Sequence, residues 1–253
     1  MLSVITAAKG RAEIFQKSVD ALWANAETDI EHLIAIDCKD KEMMSFVDSY
    51  QRKYSDKKIT IYKICFCKNG GYEKRRMGRD YWNYLTNNAC GDIIFGMCDD
   101  TIILTKGFDR IIMDKVENNK VKYKHSCFQI LVDDDGDNDI QKRETEFCSW
   151  IILTKPAVDV IGGIIPDEII SSGADTYVYS IFEQTTIKSQ ISLRDEIKTL
   201  HISHYNGSHK FDETTRTKPI YGDDKVGLSR KQYHLRMDRE ILKQYYENTN
   251  EKN

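Results

Sequence analysis

The sequence predicts an α/β fold, with a mostly parallel central sheet flanked by helices, an appended α+β half and a helical C-terminal tail. Three observations predict it. Through the first hundred residues, short apolar runs of strand length alternate with longer stretches that are apolar at every third or fourth residue. Two of these runs, Glu31 to Asp37 and Asp92 to Asp100, end in carboxylates, and ligands of open α/β sheets sit at the carboxyl ends of strands. After Asp100 the alternation gives way to a looser mix of strands, glycines and charged stretches. Strand–helix alternation of the first kind calls for parallel pairing with right-handed crossovers.

Taken in order, Leu2 to Ala8 (LSVITAA) reads as the first strand and ends at Lys9-Gly10-Arg11. Ala12 to Ala26 follows as an amphipathic helix, with Ile14, Phe15, Val19, Leu22 and Trp23 at helical spacing. Glu31 to Asp37 is the second strand, and Glu42 to Tyr54 a helix that buries Met43, Met44, Phe46, Val47 and Tyr50. Lys58 to Phe66 is the third strand. Asn69-Gly70-Gly71 breaks it, and a helix from about Tyr72 to Asn88 leads into the run from Asp92. Beyond it, Thr105 to Asn118 reads as a helix, Lys122 to Val132 as a strand, and Asp133 to Asp139 as an acidic loop before Phe147 to Leu153. Val158 to Ile165 carries Gly162-Gly163, Ala174 to Gln184 resembles a helix, and Ile197 to Tyr205 looks like a last strand. Residues from Gly227 onward are charged and helical, with Tyr and Leu interleaved.

Composition narrows the classes. The 253 residues can bury a substantial core. With 37 basic and 40 acidic residues the net charge is -3, so no global field draws the chain to nucleic acid or an anionic membrane. The cysteines at 38, 65, 67, 90, 98, 127 and 148 are scattered, form no CxxC pair and in several cases sit in apolar runs, as buried free thiols do. No apolar run reaches the roughly 18–20 residues that span a bilayer, and Lys9 and Arg11 come too early for a signal peptide. The expectation is a soluble, cytoplasmic domain.

The chemistry-bearing stretch is DIIFGMCDD. Ile93 to Met97 would deliver Asp99 and Asp100 to the end of a buried strand. Two adjacent carboxylates there are costly unless a cation shares the site, and a divalent metal carrying phosphates is the usual solution. A plain turn is the alternative reading of the pair.

The ordered set of a strand ending in Asp37, a helix with Asn83, Ala89-x-Gly91-Asp92-x-Ile94 and Cys98-Asp99-Asp100 resembles the GT-A glycosyltransferases, nearest to the inverting family-2 type. The resemblance covers Leu2 to Ile103 well, Ser149 to Gln184 weakly and the tail not at all. It implies a half that binds the nucleotide sugar over residues 1–103, an acceptor-binding half of the same domain over 104–226 and a helical tail over 227–253. It further implies a nucleoside diphosphate sugar, a UDP-sugar foremost, with Mn²⁺ or Mg²⁺ on its diphosphate, and a glycan or other hydroxyl acceptor. Asp100 would hold the metal, and Asp99 would contact the ribose or the metal through water. Cys98 stands where the family's DxD pattern has its first Asp, which removes one ligand. Thr6, Ala8 and Arg11 would line the base pocket, and Asp37 would accept from base or ribose unless it caps the helix before Glu42. Arg79, with Arg75 and Asn83 on one helix face, would reach the diphosphate. The general base of an inverting transfer would be Asp175, with Asp167 and Glu168 in reserve; as a bare helix feature, Asp175 is an N-terminal carboxylate favoured by the macrodipole. Trp150 would stack an acceptor or belong to the core.

His201 and His204 are three apart, so on a strand they face opposite ways. His204, before Asn206-Gly207, is the expected metal ligand of the two. Two other readings compete. A nucleotidyltransferase would need a glycine-rich basic loop after the first strand, of which AAKGRAE is a poor version. A calcium- or sugar-binding module would use Asp133 to Glu144, which has EF-hand spacing but strand formers on both sides.

Overall fold

The computed structural model describes residues 1–64, 77–134, 150–165, 174–183, 188–202, 240–245 and 247. The first hundred residues run β1 (Leu2–Ala8), α1 (Ala12–Asn25), β2 (Glu31–Asp37), α2 (Lys41–Lys53), β3 (Lys58–Ile64), α3 (Met77–Asn88) and β4 (Ile93–Gly96). The chain continues with β5 (Thr101–Ile103), α4 (Phe108–Tyr123), β6 (Gln129–Leu131), β7 (Asp133–Asp134), β8 (Ile151–Thr154), α5 (Lys155–Ile161), α6 (Ala174–Glu183), β9 (Gln190–Ser192) and β10 (Lys198–His201).

Seven strands form one sheet in the order β3-β2-β1-β4-β8-β6-β9. The first four are mutually parallel, β8 runs antiparallel to both its neighbours, and β9 is again parallel to β6. β1, β2 and β4 are apolar along nearly their whole length because helices cover both faces, as parallel strands require. β3 is an edge: its burial alternates, and Lys58 and Lys63 face solvent, which discourages a further strand from pairing there. A second sheet, β5-β10-β7, stands beside the end of β4.

Three apolar clusters hold these layers. One joins β1 and β4 to α3, α5 and α6, through residues such as Ile5, Trp82, Ile94, Ile161 and Val178. Another packs α4 against β4, β6 and β8. The third seats Phe15 and Val19 of α1 with Met43, Val47 and Tyr50 of α2 on β1 and β2. Leu242, in the helical segment 240–245, is fully buried in the first cluster, and Tyr245 packs against it. The segment 240–245 therefore packs on the domain. Gly96 is required where Trp82 crosses β4, since a Cβ there would lie 2.6 Å from the indole.

The second half departs from expectation. Lys122 and Tyr123 end α4 instead of opening a strand; Lys124, at φ 57, closes the helix in the left-handed region. β6 is only three residues long. Gln129–Leu131 and Ile151–Thr154 flank the acidic stretch as strands, and Asp133 is ion-paired with Lys198, so helix–loop–helix calcium geometry is absent there among the described residues. Asp135 to Glu144 lie outside the described residues. Cys38 is disulfide-bonded, against the expectation of a reducing setting, whereas Cys90, Cys98 and Cys127 form no disulfide. No helix among the described residues is long and apolar enough to cross a membrane.

Candidate functional site

The carboxyl ends of β1, β2 and β4 meet in one place, and the turns that leave them carry the polar groups. After β1, the Lys9-Gly10-Arg11 turn needs glycine at its centre, where φ is 64. The Gly10 N–H donates to Asp40 Oδ2 at 2.7 Å, and the Ala12 N–H to Glu42 Oε1 at 3.3 Å, so the start of α2 fixes the start of α1. Asp40 is also the N-cap of α2, accepting from the Met43 N–H at 3.0 Å. The capping role considered for Asp37 thus belongs to Asp40. Asp37 itself is buried at the end of β2, and its Oδ1 accepts from the Lys39 N–H at 3.0 Å.

This bracing aims Arg11 at the turn after β4. Its Nε donates to Asp99 Oδ2 at 3.2 Å, its Nη2 to Asp99 Oδ1, and its Nη1 to Asp100 Oδ2 at 3.2 Å. The side chains of Asp99 and Asp100 are only 5% and 7% exposed. The turn is held from two sides. Ser18 of α1 donates to the carbonyls of Asp99 (3.1 Å) and Thr101 (2.6 Å), and the Ile202 N–H donates to the carbonyl of Asp100 (3.0 Å). β10 brings His201 Nε2 within 3.3 Å of Asp100 Oδ1, with the imidazole edge-on to Trp150 at 4.9 Å. Trp150 is buried and donates to Thr199 Oγ1 at 2.6 Å, so it serves as core backing for the site.

The electrostatics divide the pair. Burial pushes the Asp99 carboxyl up to about 6; Arg11 opposes the shift and the neighbouring Asp100 adds to it. Burial pushes Asp100 in the same direction, but the His201 hydrogen bond, with the charges of His201 and Arg11, outweighs it and holds Asp100 below the ordinary carboxylate range. Arg11 and His201 are the two cationic groups that share this pair of buried carboxylates.

Other expected site residues are placed differently. Thr6 is fully buried, and its Oγ1 lies 3.0 Å from His32 Nε2, while His32 Nδ1 lies 2.9 Å from the Tyr50 hydroxyl. Thr6 is therefore a core partner rather than a pocket wall. Ala8 packs in the cluster beneath α1 and α2. The Asn83 amide is spent on backbone: Nδ2 donates to the Ile165 carbonyl at 2.7 Å and Oδ1 accepts from the Ile165 N–H at 3.1 Å. Gly163 lies against that amide, where a Cβ would come within 2.9 Å of it. Asn83 thus clamps the Gly162-Gly163 segment rather than joining the carboxylates. Asp175 sits in the first turn of α6, partly buried. Arg79 lies on α3. Arg75, Asp167, Glu168 and His204 lie outside the described residues. Among the described residues, His201 is the histidine that meets the pair, and its adjacency to Ile202, whose N–H donates to the Asp100 carbonyl, is a tertiary signal that spacing could not carry.

Oxygen donors with an imidazole suit a divalent ion such as Mn²⁺ or Mg²⁺. As arranged, however, Arg11 covers both carboxylates, and no three His, Cys, Asp or Glu side chains among the described residues stand together as a ligand set. In this arrangement the pair fits an arginine, not a metal.

No protein-family profile matches the chain, and no curated protein matches it. Solved structures do. S. aureus TarS 1-349 in complex with UDP superposes with a TM-score of 0.57 at 14% identity, covering 79% of this chain and 60% of that one. The chain has a GT-A fold. The mannosyltransferase PcManGT from Pyrobaculum calidifontis, in complex with GDP-Man and Mn²⁺, gives a TM-score of 0.55 at 13% identity, covering 79% and 56%. TarS 1-349 with UDP-GlcNAc gives 0.55 at 13%, covering 83% and 61%. The chain spans less than two thirds of the length of these structures. Within the GT-A fold, the Arg11–Asp99–Asp100–His201 cluster occupies the carboxyl end of the parallel strands, the position where open α/β sheets receive ligands.

Proposed function

We propose that this chain is a glycosyltransferase that moves a sugar from a nucleoside diphosphate sugar, a UDP-sugar foremost, to a hydroxyl acceptor with inversion at the anomeric carbon. One observation carries the reading: a pair of buried carboxylates, Asp99 and Asp100, at the carboxyl end of β4 in a GT-A fold. Asp37, at the end of β2 on the other side of β1, is the acceptor for ribose or base. Asp99 and Asp100 organise the diphosphate end of the donor, together with cations among which Arg11 is the first.

In the transfer, the acceptor hydroxyl loses its proton to a carboxylate as its oxygen bonds to the anomeric carbon, and the bond from that carbon to the diphosphate breaks. Asp175 is the proposed base, at the start of α6, with Asp167 and Glu168 as alternates. Asn83 would position that machinery indirectly, by clamping residue 165 ahead of it. A nucleotidyltransferase is disfavoured, since Arg11, one of two basic residues of the β1–α1 turn, is engaged with the pair.

A thermal-shift panel of UDP, GDP, CDP and dTDP, each with and without Mn²⁺, tests the proposal, because a ligand of the folded state raises the melting temperature by mass action. One nucleotide diphosphate is expected to give a clear rise that Asp37→Ala removes. No rise with any of them, alongside a rise with calcium alone, would overturn the proposal in favour of the acidic stretch.

A further inference from the structure

Every carboxylate oxygen of the Asp99–Asp100 pair faces a donor of this chain. Asp99 Oδ1 and Oδ2 accept from Arg11 Nη2 and Nε, Asp100 Oδ2 accepts from Arg11 Nη1, and Asp100 Oδ1 lies 3.3 Å from His201 Nε2. The Lys9 N–H adds a further bond to Asp99. The turn that carries the pair is pinned as well. Ser18 Oγ donates to the carbonyls of Asp99 and Thr101, and the Ile202 N–H to that of Asp100. A divalent ion needs carboxylate oxygens turned toward it. Here they are turned to two cationic side chains, and breaking such buried pairs leaves charge uncompensated.

Exposure orders the same groups from the outside inward. The side chains of His201 and Arg11 are 24% and 17% exposed, whereas those of Asp100 and Asp99 are 7% and 5%. What the cluster shows to solvent is thus an imidazole and a guanidinium, with the carboxylates behind them as counter-charge. Such a surface receives an anion, and a guanidinium held from behind is a preorganised fork for phosphate oxygens.

We propose that the Asp99–Asp100 turn takes no divalent ion, and that Arg11 and His201 are the charges that receive the donor's diphosphate in its place. The inference rests on the donor-site reading for its choice of ligand, and adds to it that binding needs no divalent cofactor. Arg11 is suited to the part because its own backbone is fixed. Its carbonyl accepts from the Phe15 N–H at 2.9 Å, and the residues on either side of it are tied to Asp40 and Glu42. His201 is fixed in turn by β10 and by the edge-on contact with Trp150. The carboxylates complete the arrangement by holding both cations in place.

Two readouts on the intact chain test it. The first counts bound Mn²⁺, without nucleotide, by electron paramagnetic resonance in wild type and in Asp99→Asn combined with Asp100→Asn. Both proteins are expected to hold the same number of ions, and one more ion on wild type overturns the inference. Should the double variant not fold, Asp100→Asn alone is compared with wild type, and an ion lost with it overturns the inference equally. The second readout follows UDP binding by thermal shift, in EDTA and in Mn²⁺. Wild type is expected to bind UDP with affinities within about twofold of each other in the two buffers. Arg11→Gln should bind it about tenfold more weakly in both, the loss of one charge-assisted contact. If that variant does not fold, Arg11→Lys, which keeps a cation but not the fork, is read in its place. A rise with UDP only when Mn²⁺ is present, or an unchanged affinity in the Arg11 variant, overturns the inference and leaves the proposed function standing. No rise with any nucleoside diphosphate sinks the proposed function and the ligand named here, while the Mn²⁺ count still decides whether the pair takes an ion.

Discussion

The two ends of the central sheet each bury carboxylate charge, and they treat it in opposite ways. At the amino end of β2, Glu31 is 4% exposed and fully served: it accepts from Ser3 Oγ and from the Cys90 N–H, and it pairs with Lys58 at 2.9 Å. Burial alone would raise its pKa, but these partners outweigh burial and hold it below the ordinary range. At the carboxyl end, two carboxylates share one arginine and an imidazole, and burial lifts Asp99 to about 6. The first arrangement holds its carboxylate ionised within the fold; the second leaves one of its two carboxylates raised toward protonation, and the proposed function uses that pair.

The largest effect expected from this contrast is on turnover. Asp100→Ala should cut donor turnover by about a thousandfold, the scale seen when a preorganised charge contact to a reacting group is lost, as measured by release of the nucleoside diphosphate. Glu31→Ala should leave nucleotide binding intact while lowering stability by about 2 kcal/mol, since it takes the acceptor from the fully buried Ser3 hydroxyl. Urea denaturation of the two variants checks both halves. If Glu31→Ala loses nucleotide binding at unchanged stability, the division between the two ends breaks.

A smaller effect lies in pH. Glu31 is depressed, so its contribution is present above its unfolded value near 4.5 and is lost as pH falls through its folded value. Asp99 is raised from 3.8 to about 6, so the folded chain holds a proton that the unfolded chain has released, and stability falls as pH climbs from 3.8 to about 6. The amount is about 3 kcal/mol. Melting curves across this range should show the decline flattened in Asp99→Asn and the acid loss flattened in Glu31→Gln. His32, buried and lowered to about 3, contributes equally to all three proteins and cancels in the differences.

The contrast also explains what the sequence made legible. β1, β2 and β4 were readable because each is a continuous apolar run, and Asp99-Asp100 because such a run ends in them. The Ala89-Cys90-Gly91-Asp92 pattern was readable too, but its chemistry belongs to the structural end. A Cβ on Gly91 would come within 2.8 Å of Met1 O and Ser3 N, Cys90 serves Glu31, and Asp92 pairs with the chain's amino terminus. Arg11 was assigned to a pocket at the end of β1, yet its partners lie 88 and 89 residues away, beyond the reach of any local pattern. The same holds for Asn83, whose partner is 82 residues distant. Lys122 to Lys124 imitates the start of a strand because the last helical turn and cap of α4 also set a Tyr between lysines.

The burial of Leu242 among Ile5, Trp82 and Val178 has a consequence for synthesis. A ribosome adding roughly 5–20 residues each second delivers β1 well before residue 242 emerges. During that interval the cluster lacks Leu242, so the nascent chain carries an apolar gap there until residue 242 has emerged. A stop codon upstream of residue 240 would make that transient gap permanent, and the truncated chain would become a substrate for chaperones and proteases while its carboxylate site remained encoded in full.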